Sequence, residues 1–253
     1  MSEQASREFV QSLARGLSVI RAFDAAHPVL TLSEVAQRAE MTRAAARRFL
    51  HTLVELGYVR ESGRDFTLTP RVLELGHSYL SALSLPDIVH PHLERLSRQV
   101  DESVSAAVLD GSDIVYISRV PTRRIMSVGI TIGTRFPAHA TSMGRVLLAH
   151  AEEPGEALTG SLARVTPTTV TDPRALAREL ERIREQGYAL VDGELEEGVR
   201  SVAAPIRGRG GRVVAAVNVS TAASRVDLDR LTGEHLPALR EATRAIDAEL
   251  ALV

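Results

Sequence analysis

The chain has 253 residues, 44% hydrophobic and 25% charged, with a formal net charge of −2. That composition fits a folded protein of one large or two ordinary domains and excludes a disordered chain. The absence of Cys excludes disulfides, thiolate zinc sites and cysteine nucleophiles. Near-neutrality excludes a globally basic nucleic-acid coat but leaves room for a local basic patch. Every one of the 30 basic residues is Arg.

The first nine residues are polar and charged and do not read as a secretory leader. The longest apolar runs, such as residues 213–217, are too short for a bilayer, so a cytoplasmic protein with no membrane partner is expected. Leu13, Leu17, Ile20 and Phe23 recur at helical spacing, which predicts a helix over residues 12–26 ended by His27-Pro28. Thr31-Leu-Ser-Glu34 is a capping box opening a short helix to Ala39. Thr42 caps a third helix to about Leu56, stopped by Gly57. Two short strands, 58–60 and 66–68, form a hairpin with Gly63 in its turn.

Pro70 starts a further helix over residues 71–85, broken at Leu85-Pro86-Asp87. The patterning changes there, so the expected division is 1–70, a linker helix 71–85, and 86–253. A helix (88–100) and strands at 104–109, 114–120 and 126–131 follow. The segment from Gly133 to Arg145 leads into a helix ending near Ala151. Asp172-Pro173 opens another helix, which Gly187 closes. A strand (188–192), a hairpin (201–206 and 213–220) and a last helix (228–253) complete the chain.

Helix, turn, helix and a two-stranded wing within the first 70 residues is the layout of a winged helix-turn-helix. The third helix turns Ala46, Phe49, Leu50 and Leu53 inward. Its other face carries Arg43, Ala44, Ala45, Arg47, Arg48 and His51, and small residues beside arginines suit a helix entering a major groove. Residues 41–60 hold four Arg against Glu55 as the lone acid, while Arg64 stands on the wing tip. Thr42, Arg43, Ala44, Arg47, Arg48, His51 and Arg64 are therefore the expected contacts to double-stranded DNA. The competing explanation of the arginines, an ordinary solvated face, loses to the ordered set of elements around them.

Three stretches carry a family resemblance in this region: Leu13-Ala-Arg-Gly-Leu-Ser-Val-Ile-Arg-Ala-Phe23, Leu30-Thr-Leu-Ser-Glu-Val-Ala36 and Arg48-Phe-Leu-His-Thr-Leu-Val-Glu-Leu-Gly-Tyr-Val59. Two more lie further on: Phe136-Pro-Ala-His-Ala-Thr-Ser-Met-Gly-Arg145 and Asp192-Gly-Glu-Leu-Glu-Glu-Gly-Val-Arg-Ser-Val-Ala-Ala-Pro-Ile206. Together they resemble the IclR-type transcriptional regulators over essentially the whole chain. The resemblance implies an α+β protein: an N-terminal winged helix-turn-helix, a linker helix and a C-terminal GAF-like α/β effector domain with a mainly antiparallel sheet. It also implies homodimers or dimers of dimers. Arg145 departs from the family's usual Lys. Glu194-Leu-Glu-Glu-Gly-Val-Arg-Ser201 and Phe9-Val-Gln-Ser-Leu-Ala-Arg-Gly16 are most similar to regulators of protocatechuate and β-ketoadipate pathway genes. That likeness implies an aromatic acid or β-ketoadipate as effector.

The C-terminal region reads as a sensor rather than an enzyme. Ala140-Thr-Ser142-Met-Gly144 approaches the G-x-S-x-G nucleophile elbow, but Ala140 replaces its first Gly and no triad completes it. His90-Pro-His92 lacks a third metal ligand, and both imidazoles are expected to be solvated. His139 and His150 also lack metal spacing. No metal, cofactor or catalytic residue is expected. Ala140, Thr141, Ser142, Met143 and Gly144 open a helix whose amides and hydroxyls suit a carboxylate. Ser201 enters a buried strand. Arg200 has surface pairing with Asp192, Glu194, Glu196 or Glu197 as its default. Asn218, the only Asn, sits in an apolar strand as either a hydrogen-bond node or a ligand contact. Arg135, beside the helix-opening loop, reads equally as a solvated turn residue. The expected effector contacts are therefore Ala140, Thr141, Ser142, Met143, Gly144, Asp192, Arg200, Ser201 and Asn218.

These features lead to a ligand-responsive DNA-binding regulator reading a pseudo-palindromic operator. The acid would act on the winged helices through the helix at 71–85. A regulator of another small-acid pathway and an enzyme fused to a winged helix are the alternatives.

Overall fold

The computed structural model describes residues 9–75, 85–122, 130–152 and 162–252. It divides into two units, Met1–Leu83 and Ser84–Val253. The first is built from α1 (Gln11–Arg21), β1 (Val29–Thr31), α2 (Leu32–Arg38), α3 (Arg43–Glu55), β2 (Val59–Ser62) and β3 (Asp65–Leu68). Its three antiparallel strands lie in the order β1-β3-β2.

Local chemistry sets these boundaries. The Thr31 hydroxyl accepts the Glu34 amide while the Glu34 carboxylate takes the Thr31 amide at 2.7 Å, a complete capping box. Thr42 accepts the Ala45 amide and so starts α3. Gly57, at φ +79°, releases the chain into the wing. The core gathers Val19, Leu30, Val35, Ala46, Leu50, Leu53, Val59 and Phe66.

Three details depart from the sequence reading. Helix α1 stops at Arg21, because the Asp24 carboxylate takes the amides of Ala26 and His27 and pairs with Arg38, making a turn where the helix was expected to continue. Of the expected stripe Phe23 is buried and Ile20 partly so, but Leu13 and Leu17 are 62% and 47% exposed, and Val19 and Ala22 are buried in their place. The unforeseen β1 pairs Leu30 with Phe66, so the wing hairpin gains a third strand.

The second unit is a six-stranded antiparallel sheet covered on both faces. Its elements are α4 (Leu85–Val100), β4 (Ser103–Asp110), β5 (Asp113–Val120), β6 (Arg135–Pro137), α5 (Ser142–His150), α6 (Pro173–Gln186), β7 (Ala189–Asp192), β8 (Val199–Arg207), β9 (Val213–Ala222) and α7 (Leu236–Leu250). The strand order is β6-β5-β4-β9-β8-β7. Because the side-chain period is two, alternate residues feed two cores. Val104, Ala106, Ala215, Val217 and Val219 pack under α4 and α7. Ala107, Tyr116, Ala203 and Ala216 pack under α5 and α6.

Residues 85–87, expected to break a helix, form the first turn of α4, where Pro is tolerated because no intrahelical partner exists for its missing amide. Residues 76–84 of the expected linker helix and 126–129 of the expected third strand lie outside the described residues. Ile130 and Thr131 are not in a strand, and the short β6 forms that edge of the sheet. The last helix is interrupted by a π-turn at Leu231–His235, just before Pro237, which cannot donate to a helical ladder. His92 is buried rather than solvated: its Nε2 lies 2.9 Å from the Glu249 carboxylate on α7.

The start of α5 packs onto the turn Ala138–Ala140 with no room to spare. A Cβ at Gly144 would stand 2.2 Å from the Ala138 carbonyl oxygen. Gly144→Ala is therefore expected to cost roughly 1–3 kcal/mol through overpacking. Thermal unfolding checks this, and an unchanged midpoint would contradict the packing described.

Candidate functional site

Helix α3 presents Arg43, Arg47 and His51 at four-residue intervals, so all three lie on one side. With Glu61, Arg64 and Phe66 of the wing and Thr31, Leu32 and Ser33 at the start of α2, they line one open groove. The structure thus brings together four of the expected DNA contacts: Arg43, Arg47, His51 and Arg64. Ala44 and Arg48 are exposed on the adjoining side of α3. Thr42, whose hydroxyl caps α3, lines a separate depression with Arg15, Gln37 and Glu40. Thr31 and Ser33 were missed as groove residues. The capping box marked their position, but only the fold shows that α2 begins opposite the wing.

A second concavity, of about 180 Å3, lies in the other unit between the sheet and the start of α5. Tyr116, Asn218 and Ser220 come from the sheet, Ser201 from β8, Ala140, Thr141 and Ser142 from the helix start, Phe136, Val191 and Leu195 contribute to its apolar wall, and Glu196 also lines it. Ser201 donates to the Ser142 hydroxyl at 2.8 Å. Thr141 accepts the Gly144 amide at 3.0 Å. Tyr116 meets Phe136 edge-on with centroids 5.8 Å apart. Burial pushes the Tyr116 hydroxyl up to about 12, so it stays protonated at neutral pH. Asn218 is buried, and its Oδ1 has no hydrogen-bond partner among the described residues.

Five of the nine expected effector contacts, Ala140, Thr141, Ser142, Ser201 and Asn218, meet at this cavity. Four do not line it. Met143 is 1% exposed because the next step of the helix turns it into the core. Gly144 is occupied by its contact with Ala138. Asp192 and Arg200 stand opposite each other on β7 and β8 and form an ion pair at 3.0 Å, with a further Arg200 bond to the Val226 carbonyl. That pairing matches the surface default for Arg200. Arg135 likewise pairs with Asp110 and Asp113. Tyr116 and Ser220 were missed, although two-residue alternation from Asn218 and Ala107 would have pointed to that sheet face.

Arg145 is where the sequence reading falls furthest short. It is 2% exposed and grips the Glu194 carboxylate with both guanidinium ends, at 2.8 and 2.5 Å. Its Nε donates to the His139 carbonyl, and Glu194 also accepts the Val170 amide. The hydroxyls of Thr166 and Thr169 donate to the Glu194 carbonyl. Glu194, read as a neighbour of Arg200, is instead the anchor of the loop carrying Leu195. Among the described residues no group of His, Asp and Glu side chains could hold a metal ion.

Two family models match the chain: the IclR helix-turn-helix domain over residues 12–63 and the bacterial transcriptional regulator IclR C-terminal domain over residues 77–248. The chain is 44% identical over 96% of its length to the Pca regulon regulatory protein of Pseudomonas putida, covering 85% of that protein. A solved regulator from Rhodococcus sp. RHA1 is 54% identical, with a TM-score of 0.85 over 96% of this chain and 99% of that one. An IclR homologue from Microbacterium hydrocarbonoxydans, solved with 4-hydroxybenzoate, is 31% identical, with a TM-score of 0.86 over 96% of this chain and all of that one.

Removing one partner of a buried ion pair leaves the other charge uncompensated. Arg145→Met and Glu194→Gln are each expected to cost about 3–5 kcal/mol, read from urea unfolding. A loss below about 1 kcal/mol, the range of exposed pairs, would show that the pair does not anchor the loop.

Proposed function

This chain belongs to the IclR family of DNA-binding transcriptional regulators and is not an enzyme, and we propose that it controls genes of aromatic-acid breakdown in response to a single-ring organic acid. The observation that carries the reading is the small cavity with Ser142, Ser201 and an unpartnered Asn218 in its wall. An apolar cavity of about 150 Å3 holds a benzene molecule, so about 180 Å3 suits one ring with its polar substituents. The names of the relatives point the same way: one regulates a Pca regulon, and another was solved with 4-hydroxybenzoate.

At the other end of the chain, Arg43, Arg47 and His51 enter the major groove and Arg64 reaches a phosphate from the wing. Arg48, Ala44 and Thr42 contribute at the edge of the interface. A pair of such units in a homodimer, or a dimer of dimers, reads a pseudo-palindromic operator. The working layout is a DNA-binding domain at 1–70, a linker at 71–85 and an effector domain at 86–253, acting in the cytoplasm. Among the described residues no helix is long and apolar enough to cross a membrane. A regulator of another small-acid pathway is the alternative, and the ligand panel below separates the two.

Two outcomes follow. Arg47→Ala is expected to weaken binding to DNA selected from a randomised pool by about tenfold or more, the worth of one bidentate guanine contact. Fluorescence anisotropy at fixed salt measures this, and unchanged affinity would remove Arg47 from the interface. A thermal-shift panel of aromatic and aliphatic acids is expected to raise the unfolding temperature with 4-hydroxybenzoate or protocatechuate, because a ligand bound only by the native state stabilises it. A shift with aliphatic acids alone would favour the alternative.

A further inference from the structure

Arg119, on β5, is half-buried, and its side chain has no hydrogen bond or ion pair among the described residues. The sheet register fixes the side to which it projects. Arg119 stands opposite Ser105 on β4, Ser105 opposite Asn218 on β9, and Asn218 opposite Ala203 on β8. Residues directly opposite one another share a face of the sheet. Asn218 lines the cavity, and so does Tyr116, which stands opposite Ala107 on the same face. Ser118, the residue before Arg119, faces the other way, with its hydroxyl 3.0 Å from His90 Nδ1 on α4. Adjacent strands are about 4.8 Å apart, which puts Arg119 roughly 10 Å from Asn218 along the same sheet face, beyond the residues that line the cavity. An extended arginine and a ring-sized ligand close that interval together.

Two polar groups on this sheet face, one lining the cavity and one beside it, are therefore incomplete. One is the guanidinium, whose partial burial pulls its pKa down against a smaller opposing effect of Tyr116. The other is the buried Asn218 amide oxygen. The opposite end of the cavity is different. There Ser201 donates to Ser142, which leaves the Ser142 hydroxyl free to donate, and the start of α5 supplies only the partial charge of a helix end, about half an elementary charge.

We propose that Arg119 binds the carboxylate of the effector, and that the helix start with Ser142 and Ser201 receives the ligand's second oxygen. This rests on the acid-effector reading above and orients it. It also reverses the sequence expectation that the helix start takes the carboxylate, because a full positive charge with a forked donor set outcompetes a helix end. The ligand class is an acid with an oxygen substituent remote from its carboxylate, as in a para-hydroxylated benzoate.

The test compares 4-hydroxybenzoate with its neutral analogue 4-hydroxybenzamide by calorimetric titration of the full chain. The wild-type protein is expected to prefer the acid by at least tenfold. Arg119→Met is expected to abolish that preference by losing affinity for the acid while holding the amide within about twofold. Arg119→Gln gives the same readout should the Met variant fail to fold, and Arg119→Lys is expected to keep part of the preference. A variant without the charge that still prefers the acid tenfold would overturn the assignment of Arg119 while leaving the acid reading intact. Wild-type protein that binds no member of the acid panel would overturn both.

Discussion

Glu194 joins two stretches of chain that line one cavity, through its bond to Arg145 on α5 and its own continuation into Leu195. The carboxylate is clamped by both arms of a guanidinium on α5, while its backbone is held by the threonines of residues 166–169. Helix α5 begins with the cavity residues Thr141 and Ser142, and the Glu194 loop continues into Leu195. A bidentate pair has geometric specificity that a single ammonium contact lacks. Arg145, where the family usually carries Lys, therefore holds the helix start and the loop in one fixed relation. Burial makes the pair costly to break.

The sheet supplies the floor under this clamp. Its antiparallel register puts small residues, Ala107, Ala203 and Ala216, where α5 and α6 pack closely, and polar ones, Asn218 and Ser220, at the cavity. A face covered at one end and open at the other is how a buried sheet makes room for a small ligand without losing its core. The DNA-binding unit uses the same economy. One side of α3 is spent on Ala46, Leu50 and Leu53, and the opposite side is free for three basic residues spaced by four.

Much of this was legible in the sequence, and the limits were physical. Caps and stops speak through local hydrogen bonds, so Thr31, Thr42, Asp172 and Gly187 marked their helix ends correctly. The helix-turn-helix and the two central hairpins followed from periodicity. Long-range pairing was not legible. Asp24 ends α1 through Arg38, β1 exists only because β3 is beside it, and His92 is buried by a helix 157 residues away in sequence. At the site, the helix-start residues and Asn218 were found by their chemistry. Arg145 and Arg119 were not, because a lone Arg in sequence looks the same whether it is solvated, paired with a distant Glu, or waiting for a ligand.

The central claim is that one chain binds an acid and DNA, and that each affects the other. Linkage makes this measurable from the ligand's side: if the acid alters DNA affinity by some factor, DNA must alter acid affinity by the same factor. Titration of 4-hydroxybenzoate into the free protein and into the protein saturated with its selected DNA tests this directly. Acid dissociation constants in the two states are expected to differ by about fivefold or more, the lower bound of ordinary allosteric coupling. Equal constants would mean that the cavity and the DNA-binding helix do not communicate, and would contradict the account.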